Sequence, residues 1–143
     1  SEVLGRALLD GLARRGVAGD VRLVAAATHS ARTVAELVAT VRAHDLLVLA
    51  TPLYFDALPA LVVRALEAIA ADRAAADPPP LTVSLVVNSG FPEPHHNTTA
   101  AAVAALFARD VRARWAGALA LGGGAMIAGR PLDAVGGVVR HLA

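Results

Sequence analysis

The chain has 143 residues, 56% of them apolar, with a formal net charge of +1 and no cysteine. This length supports one domain with a sizeable core. The near-neutral charge gives no field for nucleic acid or a charged membrane, and the lack of cysteine excludes disulfides, thiol redox chemistry and Cys-ligated zinc or iron–sulfur sites.

The first predicted element is a helix over residues 1–16. Leu4, Leu8 and Leu12 recur at helical spacing, Arg6, Asp10 and Arg14 lie opposite, and Gly16 ends it. Residues 21–26 form an apolar run expected to be a short strand. The next helix, 31–43, is expected to bury Val34, Leu37, Val38 and Val41. Residues 45–50 are apolar on both faces, as in a central parallel strand. Pro59 stands where a helix accepts proline, in its first turn. Leu58, Val62, Ala65, Leu66 and Ile69 then face inward. After the stiff Asp77-Pro78-Pro79-Pro80 connection a core strand follows at 81–87. Asn97 or Thr98 is the expected N-cap of a helix to about Arg112, with Val103, Leu106 and Phe107 inside. A last strand at 116–121 runs into Gly122-Gly123-Gly124, and a final helix is expected over 132–142.

The order α-β-α-β-α-β-α-β-α predicts a single doubly wound α/β domain over residues 1–143. Such sheets open on a strand near their centre. This chain opens on a helix, so a strand is expected ahead of Ser1, and the abrupt end at Ala143 implies truncation there as well. No repeat or low-complexity tail is present. All 13 basic residues are arginine, which with the alanine excess reads as genomic composition bias. The mean hydropathy of +0.56 is largely alanine. The longest apolar stretch, 115–128, is broken by four glycines and falls short of the roughly 20 residues a membrane span requires. With no signal peptide legible, a cytoplasmic protein without a membrane or nucleic-acid partner is expected.

Two segments concentrate the chemistry. Thr51-Pro52-Leu53-Tyr54-Phe55-Asp56 and Asn88-Ser89-Gly90-Phe91-Pro92-Glu93 each follow a core strand and lead into a helix. That is the carboxyl edge, where open α/β sheets bind ligands. Neither carries a nucleophile with its base, and Ser89 is not in a Gly-x-Ser-x-Gly elbow. Tyr54 and Phe55 offer stacking area, or one of them plugs the core beneath the loop. Gly90 admits close approach of a planar ligand, or serves a tight turn. Asp56 caps or braces its loop. Glu93 holds the second loop or meets a neighbouring subunit. His95 and His96, adjacent on a loop, are expected to point apart, and no third ligand is near, so no metal site is expected. One of them is an alternative lining residue of an acceptor pocket. Gly122-Gly123-Gly124 follows the last strand and so is not a dinucleotide fingerprint. It is expected to let backbone pass close to a ligand or partner. Arg130 reads as solvated rather than as an NADPH phosphate ligand, and Trp115 as packing at the start of the last strand.

The two carboxyl-edge loops with their strands, together with the Trp115–Gly124 strand and glycine turn, resemble the flavodoxin-fold NAD(P)H-dependent FMN reductases over residues 21–132. The resemblance implies a five-stranded parallel sheet in the order 2-1-3-4-5 with FMN at its carboxyl edge. It assigns Ser1, Thr51, Pro52, Leu53, Tyr54, Phe55, Asn88, Ser89, Gly90, Phe91 and Glu93 to the cofactor site. Ser1 would be the last residue of the phosphate-wrapping loop that follows the first strand in this family, beside a helix start that suits a phosphate. Loop 51–56 would lie along the isoalloxazine with the Leu53 N–H close to it. The implied activity is hydride transfer from NADPH or NADH through FMN to a small acceptor such as a quinone, nitro or azo compound, free flavin or ferric chelate, in a homodimer or homotetramer. No protein residue is catalytic in that reading, because the cofactor carries the chemistry. Two alternatives stay open: a flavodoxin-type electron carrier, which the +1 charge disfavours, and a flavin-free binding or scaffold domain.

Overall fold

The computed structural model describes residues 1–75, 77–124 and, for the backbone, 139–142. Helix α1 (Glu2–Ala13) is followed by one helical turn, α2 (Val24–Ala27), and by α3 (Ala31–Arg42). Strand β1 (Leu46–Pro52), α4 (Ala60–Ala75), β2 (Thr82–Asn88), a 3₁₀ turn (Pro94–Asn97), α5 (Thr98–Asp110), β3 (Arg114–Leu121) and β4 (Val139–Leu142) complete the order. The sheet runs β1-β2-β3-β4. Its first three strands are parallel and the last is antiparallel to β3.

The β1–β2 ladder is regular from Leu46↔Thr82 to Pro52↔Asn88. The β2–β3 ladder shifts register between Val83 and Leu85. Gly117 takes up the extra residue at φ 96, and its carbonyl accepts from Ser84 Oγ at 3.1 Å. A bulge there is a natural place for a glycine with positive φ.

Side chains alternate across the strands. Val83, Leu85 and Val87 of β2, with Ala118 and Ala120 of β3, face α3, α4 and α5 and form the larger core cluster. Val86 and Leu121 face the other way, onto Leu4 of α1. Leu58, Val62, Ala65, Leu66 and Ile69 are all buried, as their spacing predicts. Helix α3 starts at a capping box in which Ser30 and Thr33 bond reciprocally, which fixes its first turn. Arg42 reaches Asp72 with two 2.7 Å bonds and ties α3 to α4. No helix among the described residues is long and apolar enough to cross a membrane.

Four expectations require correction. Residues 21–26 are not a strand: 17–23 has no regular structure and 24–27 is helical. A strand needs a hydrogen-bonded neighbour, and this segment has none among the described residues. Ala25, Ala26 and Ala27 then follow their high helix propensity. On α5, Phe107 is buried as expected, but Val103 and Leu106 are exposed and Ala100, Ala104 and Ala108 are buried in their place. The alanine stripe lets the helix lie close to β2 and β3, which turns the larger side chains outward. Residues 139–142 of the predicted final helix are a strand, which pairs the outer edge of β3; residues 132–138 lie outside the described residues. Finally, the described sheet joins three parallel strands to one antiparallel strand, where this chain was expected to supply four parallel strands.

Among the described residues Arg73 is the one buried charge, at 4% exposure. Its Nε donates to Val111 O at 3.0 Å, and both terminal nitrogens donate to Pro79 O at 3.2 Å. Desolvation lowers its pKa, and the nearby Asp72 carboxylate opposes that shift. One side chain thus joins the end of α4, the entry to β2 and the end of α5. Arg73→Met keeps the aliphatic stem and removes the donors, leaving two carbonyls short of a partner. The expected loss is about 2–3 kcal/mol, against less than about 0.5 kcal/mol for the exposed control Arg64→Met, read as urea unfolding midpoints.

Candidate functional site

The two loops meet at the carboxyl edge of the sheet. The Leu53 N–H donates to Asn88 O at 2.8 Å, which extends the β1–β2 ladder one step beyond the strands. That N–H, expected to lie free near a flavin ring, is therefore engaged. Thr51 and Leu53 are buried, and Thr51 Oγ1 donates to Pro52 O.

Beyond them Tyr54 and Ala57 exchange both backbone hydrogen bonds at 3.0 Å. The two residues between, Phe55 (φ 47) and Asp56 (φ 60), both have positive φ. That is the signature of a type I′ turn, which favours Asn and Gly. Phenylalanine is a poor occupant, and non-glycine residues held at positive φ are a mark of functional sites. The turn projects Phe55 fully into solvent, with Tyr54 60% exposed beside it. Neither ring plugs the core. Asp56 makes no side-chain hydrogen bond among the described residues and contributes its backbone conformation to the turn.

The second loop is braced from beneath. Ser89 N donates to Leu121 O, Gly123 N to Phe91 O and Gly124 N to Ser89 O. Asn97, completely buried, donates through Nδ2 to Ser89 Oγ (3.4 Å), Pro94 O (3.1 Å) and Leu121 O (3.2 Å). Asn97, one of the two expected N-caps, does occupy the N-cap position of α5, but its side chain makes no capping bond and instead clasps three segments of the carboxyl edge. Ser89 is buried within this network and is not presented to a ligand. The clasp was not legible in the sequence, because two of its partners are 8 and 24 residues away.

The glycine triplet belongs to the same brace. A Cβ on Gly122 would lie 2.0 Å from Pro92 O, and one on Gly124 would lie 2.5 Å from Asn88 Nδ2. These glycines let their backbone pass against the 88–92 loop, rather than against a ligand. Gly90 differs: a Cβ there meets nothing within 4 Å. Space beside Gly90 is open on the outer side of the loop.

Phe91 is half exposed and packs on His96, with ring centroids 4.4 Å apart. His95 stacks on His96 at the same distance, at an interplanar angle of 28°. The two imidazoles therefore lie together and do not point apart as expected. Glu93 Oε2 is 3.8 Å from His96 Nε2, so Glu93 braces its own loop. No group of three metal-ligating side chains occurs among the described residues.

Ser1 occupies the N-cap position of α1 without a side-chain capping bond. It lines a cleft shared with Thr51, Pro52 and Tyr54. Ser89, Gly90, Phe91 and Glu93 do not line that cleft; the Leu53–Asn88 bond joins the second loop to the first. Trp115 packs against the core at the start of β3, and Arg130 lies outside the described residues. Comparisons of the chain with protein-family models, curated proteins and solved structures find no match.

The glycine geometry makes a sharp contrast. Gly122→Ala forces the 89–92 loop away from β3 and is expected to lose about 2–4 kcal/mol. Gly90→Ala enters open space and should change stability by no more than about 0.5 kcal/mol. Denaturant unfolding of the two variants against the parent measures both. Equal stability of the two would remove the bracing role of the glycine turn.

Proposed function

We propose that this domain is an FMN-dependent oxidoreductase that transfers hydride from NADPH or NADH to a small acceptor, and that its architecture is the flavodoxin-like order 2-1-3-4-5, with β1, β2 and β3 as the third to fifth strands. The observation that carries the reading is the pairing of Tyr54 and Phe55 on one braced carboxyl-edge loop with Phe91 and the open space at Gly90 on the other. Exposed aromatic faces and bare backbone suit a flat, partly apolar ring system.

The residues present fit FMN in a second respect. Asn88 Oδ1, like Asn97 Oδ1, is a buried acceptor with no hydrogen-bond partner among the described residues. Such an atom is destabilising unless a donor reaches it, and a flavin pyrimidine edge supplies N–H groups. FMN, when bound, supplies the hydride and electron chemistry. The chain's own part is to hold the ring system between the two loops, to orient it through Asn88 and the 88–91 backbone, and to shield it with Tyr54, Phe55 and Phe91. The Leu53 N–H, already bonded to Asn88 O, favours a second reading, a flavin-free interaction domain that displays the same aromatics to a partner.

Gly90→Leu separates these. Open space at Gly90 allows the side chain without strain, so the unfolding midpoint should hold while FMN affinity, read by quenching of flavin fluorescence, falls about tenfold or more. Unchanged affinity would remove the second loop from the site. Bleaching of bound flavin by NADPH or NADH distinguishes the reductase from a carrier, and a parent chain that binds no flavin leaves the interaction domain in its place.

A further inference from the structure

The rim of the carboxyl edge holds a charge pattern that the net charge of +1 conceals. No arginine occurs between residues 43 and 63 or between 74 and 108, and the chain has no lysine. Both loops therefore lack a permanent cation of their own. The arginines gather at the other end of the sheet. Arg42, Arg73 and Arg109 lie in the last turns of α3, α4 and α5, and Arg112 and Arg114 lead into β3. Cations there complement the helix C-termini, so folding accounts for them.

The carboxylates of the rim do less for the fold. Asp56 is exposed at φ 60 and has no ion-pair partner among the described residues. Glu93 precedes the 3₁₀ turn without a side-chain capping bond, and it reaches His96 only at 3.8 Å. Beside these charges stand Tyr54, Phe55 and Phe91, all exposed, with Phe55 held at φ 47. The 2.8 Å Leu53–Asn88 bond sets the bases of the two loops side by side, at about the 4.8 Å spacing of paired strands.

Few ligands use both kinds of group. An anion meets carboxylates and no counter-charge. A neutral ring covers the aromatics but takes water from the carboxylates without compensation. A metal ion needs further ligands, and no group of three occurs among the described residues. A cation whose charge is spread over a ring system meets both, because the aromatic faces attract it through their quadrupole and the carboxylates balance it. The extent of the surface sets the source. Three rings of roughly 150–250 Å² each, partly covered by their own loops, fall short of the roughly 800 Å² a side of a stable protein interface. We propose that the carboxyl-edge rim binds a small aromatic cation, an N-alkylated heteroaromatic ring, on the faces of Tyr54, Phe55 and Phe91, with Asp56 and Glu93 as its counter-charge.

Two dyes test this without flavin: thioflavin T, a benzothiazolium cation, and the anion anilinonaphthalene sulfonate. Both are titrated by fluorescence at about pH 8, where histidine is ordinarily neutral. Phe55→Asn and Asp56→Asn suit a turn with positive φ, so the fold is kept and binding alone is read. Each should raise the Kd of the cation about two- to fivefold and leave the anion unchanged, and Glu93→Gln should do the same from the second loop. Added salt should weaken the cation further. A cation Kd that neither Phe55→Asn nor Asp56→Asn moves puts the dye elsewhere and overturns the proposal. Equal losses of both dyes in these variants show apolar contact without charge selection and also overturn it. Displacement of thioflavin T by a tri-arginine peptide at lower concentration than by N-methylquinolinium assigns the rim to a basic segment of a partner, and the small-molecule source then falls. The inference shares this rim with the oxidoreductase reading but not its cofactor. Flavin affinity of the parent chain decides that reading, and the flavin-free titration decides this one.

Discussion

A parallel strand buried on both faces must pair both of its edges, and β2 is where this chain meets that demand. It bonds to β1 on one side and β3 on the other, and Val83, Leu85 and Val87 are dry as a result. Around that strand the rest of the domain takes its place. Helices α4 and α5 lie on one face of it, α1 touches it through Leu4 and Val86, and the loop at its end is the centre of the candidate site. Strand β1 has a similar, largely apolar sequence but, among the described residues, one paired edge, and it is half wet. The difference between two such similar strands lies in hydrogen bonding, not in hydrophobicity.

The carboxyl edge is built largely from main chain. Ladder bonds continue past β1 and β2 through Leu53 and Asn88, glycine amides of the 122–124 turn bond back onto the 89–91 carbonyls, and Asn97 gathers three further oxygens. An edge of this kind holds its loops mainly through backbone bonds, with the 3.8 Å Glu93–His96 contact added on the second loop. The side chains it leaves outside are Tyr54, Phe55 and Phe91 together with the charged Asp56 and Glu93. Backbone conformation sets the first two rings, and Phe91 also packs on His96.

Much of this was legible in the chain. The buried positions Leu58, Val62, Ala65, Leu66 and Ile69 follow from helical spacing around Pro59, even though the equally apolar Leu61 and Val63 between them stand exposed. The three parallel strands stand out as short apolar runs bounded by turn residues. Legibility failed where the outcome depended on a distant partner. Residues 21–26 have strand composition and no strand to pair with. Val103 and Leu106 have core composition, but the smaller Ala100 and Ala104 allow the closer approach and win the interior. At the site, the loops could be located from the sequence, but the clasp of Asn97 and the contact of Gly122 with Pro92 join residues far apart in sequence.

The turn at Phe55 separates two kinds of selection. A two-residue turn with both φ angles positive is most easily made by Asn and Gly, and folding alone would favour them over Phe55 and Asp56. The ring of Phe55 touches no core and closes no cavity, so the domain gains nothing in packing from carrying it there. An aromatic set against local conformational preference, at full exposure, is a property of the surface and not of the fold. The scaffold therefore leaves the identity of this single tip open, and its residue can change without disturbing the packing beneath.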